Sequence, residues 1–211
     1  MLRLTPTAFA AAMSALEREG AARLRRVLDA EAEARLLEAL TPLPYLRAAE
    51  QINQVRQDFD VLKANAADGW RGLPPLLDAL RKEYGALFRQ HPAARAAGLT
   101  SFQPNEVHVQ RYRPGSQGIT AHRDQRRYVN LVSIFSLGAP ARFVIYKDRA
   151  GTVKSAFEVS GGDLVLLSAP DFAGTAHPGP IHAVEGPRES VRYSVSLREE
   201  APAAPIDTGA G

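Results

Sequence analysis

The 211-residue chain contains no cysteine, which excludes disulfides, thiolate metal sites and cysteine nucleophiles. Any metal held by side chains must therefore sit on histidine, aspartate or glutamate. There is no run of about eighteen apolar residues, so no segment reads as a membrane-spanning helix. An excess of one charge sign is also missing. The 26 Lys+Arg against 23 Asp+Glu leave a net charge of +3, which by itself does not mark a nucleic-acid binder. The opening stretch, "MLRLTPTAFAAAMSALEREG", has an alanine-rich patch that runs straight into Glu17, Arg18 and Glu19, unlike a secretory signal. The expectation is a mature cytoplasmic protein.

What is present is a 45% hydrophobic content, enough for the core of one domain or of one domain with an appended helical layer. The first hundred residues read as helical. Thr7 can cap a segment running to Gly20, and "DAEAEARLLEAL" from Asp29 to Leu40 carries helix formers and a leucine stripe. "TPLPY" at 41–45 breaks the pattern, and 48–72 reads as a polar surface segment of mixed structure. Helical spacing returns in "LPPLLDALRKEYGALFRQ", with Leu76, Leu77, Leu80, Tyr84 and Leu87 on or near one face. From Glu106 the texture changes to short β-forming runs separated by glycine and proline: "EVHVQRY", "VNLVSIFSL", "RFVIYK", "DLVLLS" and "SVRYSVSLR". Such spacing predicts a sandwich or barrel. The organisation expected is a helical layer and substrate lid over 1–100, a β catalytic core over 101–200 and a frayed tail over 201–211.

Four of the five histidines (91, 108, 122, 177 and 182) lie in the second half of the chain. His122 and Asp124, in "TAHRDQRRY", are two apart beside strand-like sequence, so in an extended chain both point to one side and can grip one ion. The bland reading is a hydrogen-bonded surface turn. A third ligand must come from elsewhere. His182 in "IHAVEG" is the better candidate, and His177, between glycine and proline, is its competitor. Two imidazoles and a carboxylate that leave open metal positions suit a non-haem Fe(II) oxygenase, with zinc as the rival. Arg192 and Arg198, six apart on an alternating strand, share a face. An inward-facing arginine pair calls for an anion, and a dicarboxylate such as 2-oxoglutarate can chelate a metal at its keto-acid end while its far carboxylate meets an arginine. Arg123, Arg126 and Arg127 read as a solvated face, or else as an anion-attracting rim. Gly161, Gly162 and Asp163 read as a turn, and Trp70 and Tyr45 as packing. His108, in phase with Gln110 and Tyr112, lines a pocket or is a satisfied barrel histidine.

In their order, "HRD", "GGDLVLLS", "IHAV" and "RYSVSLR" resemble the Fe(II)/2-oxoglutarate-dependent dioxygenases, especially the AlkB-like branch, over residues 106–198. The stretch from His182 to Arg192-Tyr193-Ser194 is also similar to the prolyl hydroxylase pattern. The resemblance implies an α+β protein with a double-stranded β-helix (jelly-roll or cupin-like) core. It implies His122, Asp124 and His182 as iron ligands, Arg192 as partner of the distal carboxylate of 2-oxoglutarate, and Arg198 as the second arginine. Gln110 and Tyr112 fall at the AlkB-like Asn-x-Tyr position, with Tyr112 offering its hydroxyl, and Ser194 stands where AlkB has an asparagine. The implied activity consumes 2-oxoglutarate and O2, releases succinate and CO2, and hydroxylates a small molecule or an exposed side chain. The alternatives are oxidative demethylation of alkylated nucleic acid, a zinc-dependent hydrolase and a non-catalytic cupin-like binding protein. AlkB-like repair enzymes carry an acidic residue shortly after His-x-Asp, whereas this chain continues Gln125, Arg126, Arg127.

Overall fold

The computed structural model describes residues 1–170, 172–174 and 178–201. The first half contains α1 (Pro6–Glu19), β1 (Ala21–Leu24), α2 (Ala30–Leu40), β2 (Leu46–Arg47), β3 (Gln51–Ile52), β4 (Val55–Asp58), β5 (Asp60–Asn65), α3 (Pro75–Gln90) and α4 (Pro92–Ala96). The second half contains β6 (Glu106–Tyr112), β7 (Gly118–His122), β8 (Tyr128–Gly138), β9 (Ala141–Tyr146), β10 (Val153–Val159), β11 (Leu164–Ser168), β12 (Ile181–Val184) and β13 (Arg192–Glu200). His177 and residues 202–211, which include nearly all of the expected tail, lie outside the described residues.

Two antiparallel sheets face each other. The larger runs β1-β11-β8-β13-β6-β5-β2 and the smaller β10-β9-β12-β7-β4-β3, a jelly-roll double-stranded β-helix. Strand alternation in the larger sheet creates two cores. Val107, Val109, Leu131, Phe135, Leu164, Leu166, Val195 and Leu197 face the buried sides of α1, α2 and α3, where Phe9, Leu16, Leu36, Leu77, Tyr84 and Phe88 are inaccessible. Their even-phase neighbours Tyr112, Val132 and Ile134, with Val165 and Leu167, turn into the barrel and meet Ile119, Phe143, Ile145 and Val184 of the smaller sheet.

Three readings of the first hundred residues change. Thr5, not Thr7, caps α1, accepting from the Ala8 amide at 3.2 Å, because Pro6 occupies the first helical position, where no amide donor is needed. On α3 the apolar face rotates to Leu77, Leu80, Tyr84 and Phe88, with Leu76 and Leu87 only half-buried. Most important, five strands occur where helix or mixed structure is expected. β1 pairs with β11, while β5 pairs with β6 and β4 with β7, so strands from before residue 100 are hydrogen-bonded into both sheets. Strands this short have too little local pattern to be seen, and only their non-local partners define them.

Asp60 locks this edge. Its buried carboxylate accepts from Arg111 at 2.9 Å and Arg113 at 3.1 Å, and Arg47 approaches to 3.7 Å. Asp60→Ala is expected to cost about 2–3 kcal/mol, below the usual toll for a buried pair because the stranded arginines can reach water. A thermal melt should register this as a fall of roughly 5–10 °C.

Candidate metal centre

β7 and β12 position the two histidines. They pair with His182 opposite His122 and Val184 opposite Ile119, so β7 spends three residues where β12 spends two. That extra residue is a bulge, and it turns His122 to the same inner side as Ile119, which strict alternation would forbid. Asp124 follows in the loop after β7. One ligand atom from each of His122, Asp124 and His182 lies within 4.8 Å of the others, and no other such group of three or more occurs among the described residues. The Asp124 Oδ2 to His182 Nε2 distance is 3.9 Å.

The donor set fits a divalent metal. His122 Nδ1 bonds the Thr120 carbonyl at 2.8 Å and His182 Nδ1 the Pro180 carbonyl at 3.3 Å. A proton held on each Nδ1 leaves both Nε2 atoms free as ligands. Burial, reinforced by His122, brings His182 down to about 4, so it is neutral near pH 7. For Asp124 burial pushes upward, but His182, Arg198 and His122 outweigh it and hold the carboxyl below its ordinary range. Phe143 lies parallel to the His182 ring at 5.5 Å and fixes its plane.

Deeper in the barrel, β13 and β6 form a ladder of inward polar pairs: Arg192 opposite Tyr112, Ser194 opposite Gln110, Ser196 opposite His108, Arg198 opposite Glu106. Arg192 is 1% exposed, and its guanidinium sits 5.1 Å from the Tyr112 ring centre. Its Nη2 donates to Ser136 Oγ at 2.9 Å, while Nε and Nη1 are buried with no partner among the described residues. A buried cation with two idle donors is costly unless an anion completes it. Tyr112 and Ser194 both donate to Gln110 Oε1, at 2.9 and 2.8 Å. The Tyr112 proton is therefore already engaged, contrary to expectation, and the Gln110 amide nitrogen becomes the donor left for a ligand. Arg198 donates to the Tyr128 hydroxyl at 3.0 Å and stands 3.9 Å from Asp124.

Glu106, Tyr128 and Ser136 were not expected at the site. Glu106 accepts from Tyr128 at 2.7 Å and, with Arg198 and Arg127, braces the carboxylate end of the metal centre. Its place in phase with His108, Gln110 and Tyr112 is the signal that points to it. Arg127 is exposed, as a solvated face requires, yet it also donates to the Tyr128 hydroxyl at 2.8 Å and pairs with Glu200. Asp163 is structural, as expected, accepting from Arg23 and the Arg26 and Ser160 amides.

A family model described as the 2OG-Fe(II) oxygenase superfamily matches residues 24–172. The chain belongs to the 2OG-Fe(II) oxygenase superfamily. It is a 2-oxoglutarate-dependent dioxygenase using Fe(II), 2-oxoglutarate and O2, which removes the zinc hydrolase and the non-catalytic binding protein from consideration. No curated protein matches the chain by sequence. Among solved structures it is similar to a Pseudomonas putida prolyl-4-hydroxylase, at 17% identity and TM-score 0.55, covering 90% of this chain and 98% of that one. A prolyl hydroxylase from Trichoplax adhaerens, in complex with a hypoxia inducible factor oxygen degradation domain peptide fragment, aligns at 12% identity and TM-score 0.60, covering 92% and 90%. The structure of OsALKBH1 aligns at 12% identity and TM-score 0.58, covering 85% and 98%. At such identities the likeness is one of fold.

Proposed function

We propose that this oxygenase hydroxylates a small molecule or an exposed side chain, with Fe(II) held by His122, Asp124 and His182 and the distal carboxylate of 2-oxoglutarate held by Arg192. The observation that carries this reading is the buried Arg192 guanidinium with its unpartnered Nε and Nη1. Its planar fork suits a carboxylate held by two parallel hydrogen bonds. Gln110 presents its free amide nitrogen to the cosubstrate, with Tyr112 and Ser194 holding it in place by donating to its Oε1, and Arg198 steadies Asp124. When bound, the metal and 2-oxoglutarate activate O2 for insertion into a C–H bond. The chain's own share is to align the cosubstrate, present two imidazole Nε2 atoms and exclude water.

β2–β5 serve as the substrate-facing lid, because Leu46, Ile52, Val55, Phe59 and Val61 wall the cavity that reaches His122 and Asp124. This wall disfavours alkylated nucleic acid as substrate. Phe59 is the only aromatic it contributes, and Trp70 packs instead beneath Arg81, 4.1 Å from its ring centre, against the helical core.

Purified protein is expected to form succinate from 2-oxoglutarate in an Fe(II)-dependent manner, slowly without substrate. Chromatographic quantification, with a metabolite panel in parallel with methylated single-stranded DNA and RNA, is the test. Absence of succinate under all conditions would defeat the reading, and repair of methylated DNA well above background would replace the substrate class.

A further inference from the structure

We propose that the substrate is a small molecule with an anionic head, carboxylate or phosphate, on an aliphatic body, and that Lys63 with His108 beside it selects the head. This rests on the function proposed above. The cavity over the metal centre measures about 510 Å³, and its charged walls are Arg47, Lys63, Arg123 and Arg198 against the single carboxylate of Asp124. Three of the four cations are engaged. Arg47 pairs with Asp58 at 2.5 Å, Arg123 donates to the Gly179 carbonyl at 3.0 Å, and Arg198 is held by Tyr128. Lys63 makes no ion pair among the described residues and is exposed at the mouth, directly opposite His108 in the β5–β6 register.

His108 is 7% exposed, lines the same cavity, and its Nδ1 has no hydrogen-bond partner among the described residues. Burial, with the charges of Arg198, Lys63 and Arg127, keeps the ring neutral, so it offers one donor and one acceptor. A charged ammonium next to a neutral hydrogen-bonding ring matches a single anionic group. The rest of the wall is apolar. Leu46, 74% exposed, and Ile52, 49% exposed, stand on the edge strands β2 and β3 and line the cavity, while Val55, Phe59, Val61 and Ile119 complete its apolar lining. Large apolar groups left in water around a cavity are satisfied by a ligand body that covers them. A polymer needing several phosphate contacts finds, among the described residues of this wall, only Lys63 as a cation without an ion pair or hydrogen bond.

The probes are octanoate, octyl phosphate, octanol and octylamine. They are titrated calorimetrically, without oxygen, into protein carrying Fe(II) and 2-oxoglutarate, and assayed with oxygen for stimulated succinate formation relative to each variant's own probe-free rate. Anionic probes should bind at least about tenfold more tightly than octanol, with octanoate against octyl phosphate deciding which head is preferred. Lys63→Glu should reverse the order in favour of octylamine, and His108→Leu should weaken the anionic probes several-fold more than octanol. Equal binding of octanoate and octanol, an order unchanged by Lys63→Glu, or stimulation by methylated single-stranded DNA or a peptide exceeding that by every probe would overturn the proposal. If succinate never forms, the function proposed above fails, and the calorimetric order still decides the head group.

Discussion

Alanine at His122, Asp124 or His182 is expected to reduce Fe(II)-dependent succinate formation by roughly a thousandfold or more, the scale of losing a metal's several kcal/mol of charge stabilisation. Each residue presents a prepared ligand atom: two imidazoles whose Nδ1 atoms are tied to backbone carbonyls, and a carboxylate held below its ordinary range with the Arg198 guanidinium 3.9 Å away. Removing one leaves two groups, too few to hold the ion in place. Succinate yield and bound iron, measured on variants with unchanged circular dichroism, should fall together. Turnover retained in His182→Ala but lost in His177→Ala would move the third ligand to His177.

The second large effect belongs to Arg192. With Arg192 in its proposed role, its loss should weaken 2-oxoglutarate binding by about 2–5 kcal/mol, or some thirtyfold to several thousandfold, because a charge-assisted two-pronged contact inside the barrel would disappear. Calorimetry on Arg192→Ala and Arg192→Lys should find both impaired, since an ammonium cannot reproduce the planar fork. The ligand-free protein behaves differently. There the guanidinium is buried with two idle donors, so Arg192→Met should leave the melting temperature unchanged or higher while abolishing the rise that 2-oxoglutarate produces in the parent. Wild-type affinity in Arg192→Ala alongside a loss in Arg198→Ala would exchange the roles of the two arginines.

The legible parts of the site are those where strand alternation runs unbroken. Arg192, Ser194 and Arg198 on β13, and Gln110 and Tyr112 on β6, share the inner face as a period of two requires, and the structure places them on facing rungs. The family resemblance extended to residues that the family model does not reach, since His182 and Arg192 follow the end of its match at 172. The helical layer was visible wherever capping and leucine spacing act within one turn or two, as in α2 with its Asp29 cap. The lid was not. β2 and β3 are two residues each, and nothing in "LR" or "QI" announces a strand until β5 and β4 lie alongside.

Local information thus settled the absence of thiolate chemistry, the candidate ligands, the arginine pair and the β character of the second half, because residue identity and short-range periodicity are properties of the chain alone. Tertiary structure decided the rest. The bulge that aims His122 inward exists only as a mismatch between two strands, and the capture of the Tyr112 proton by Gln110 depends on which side chains meet across the barrel. Likewise, Arg127 keeps its solvent exposure and also serves as a brace, because the fold brings Glu106, twenty-one residues away in sequence, within hydrogen-bonding reach. Contacts between distant segments carry no periodic trace in sequence, so which polar groups are satisfied, and which are left waiting for a ligand, emerges only when the sheets close.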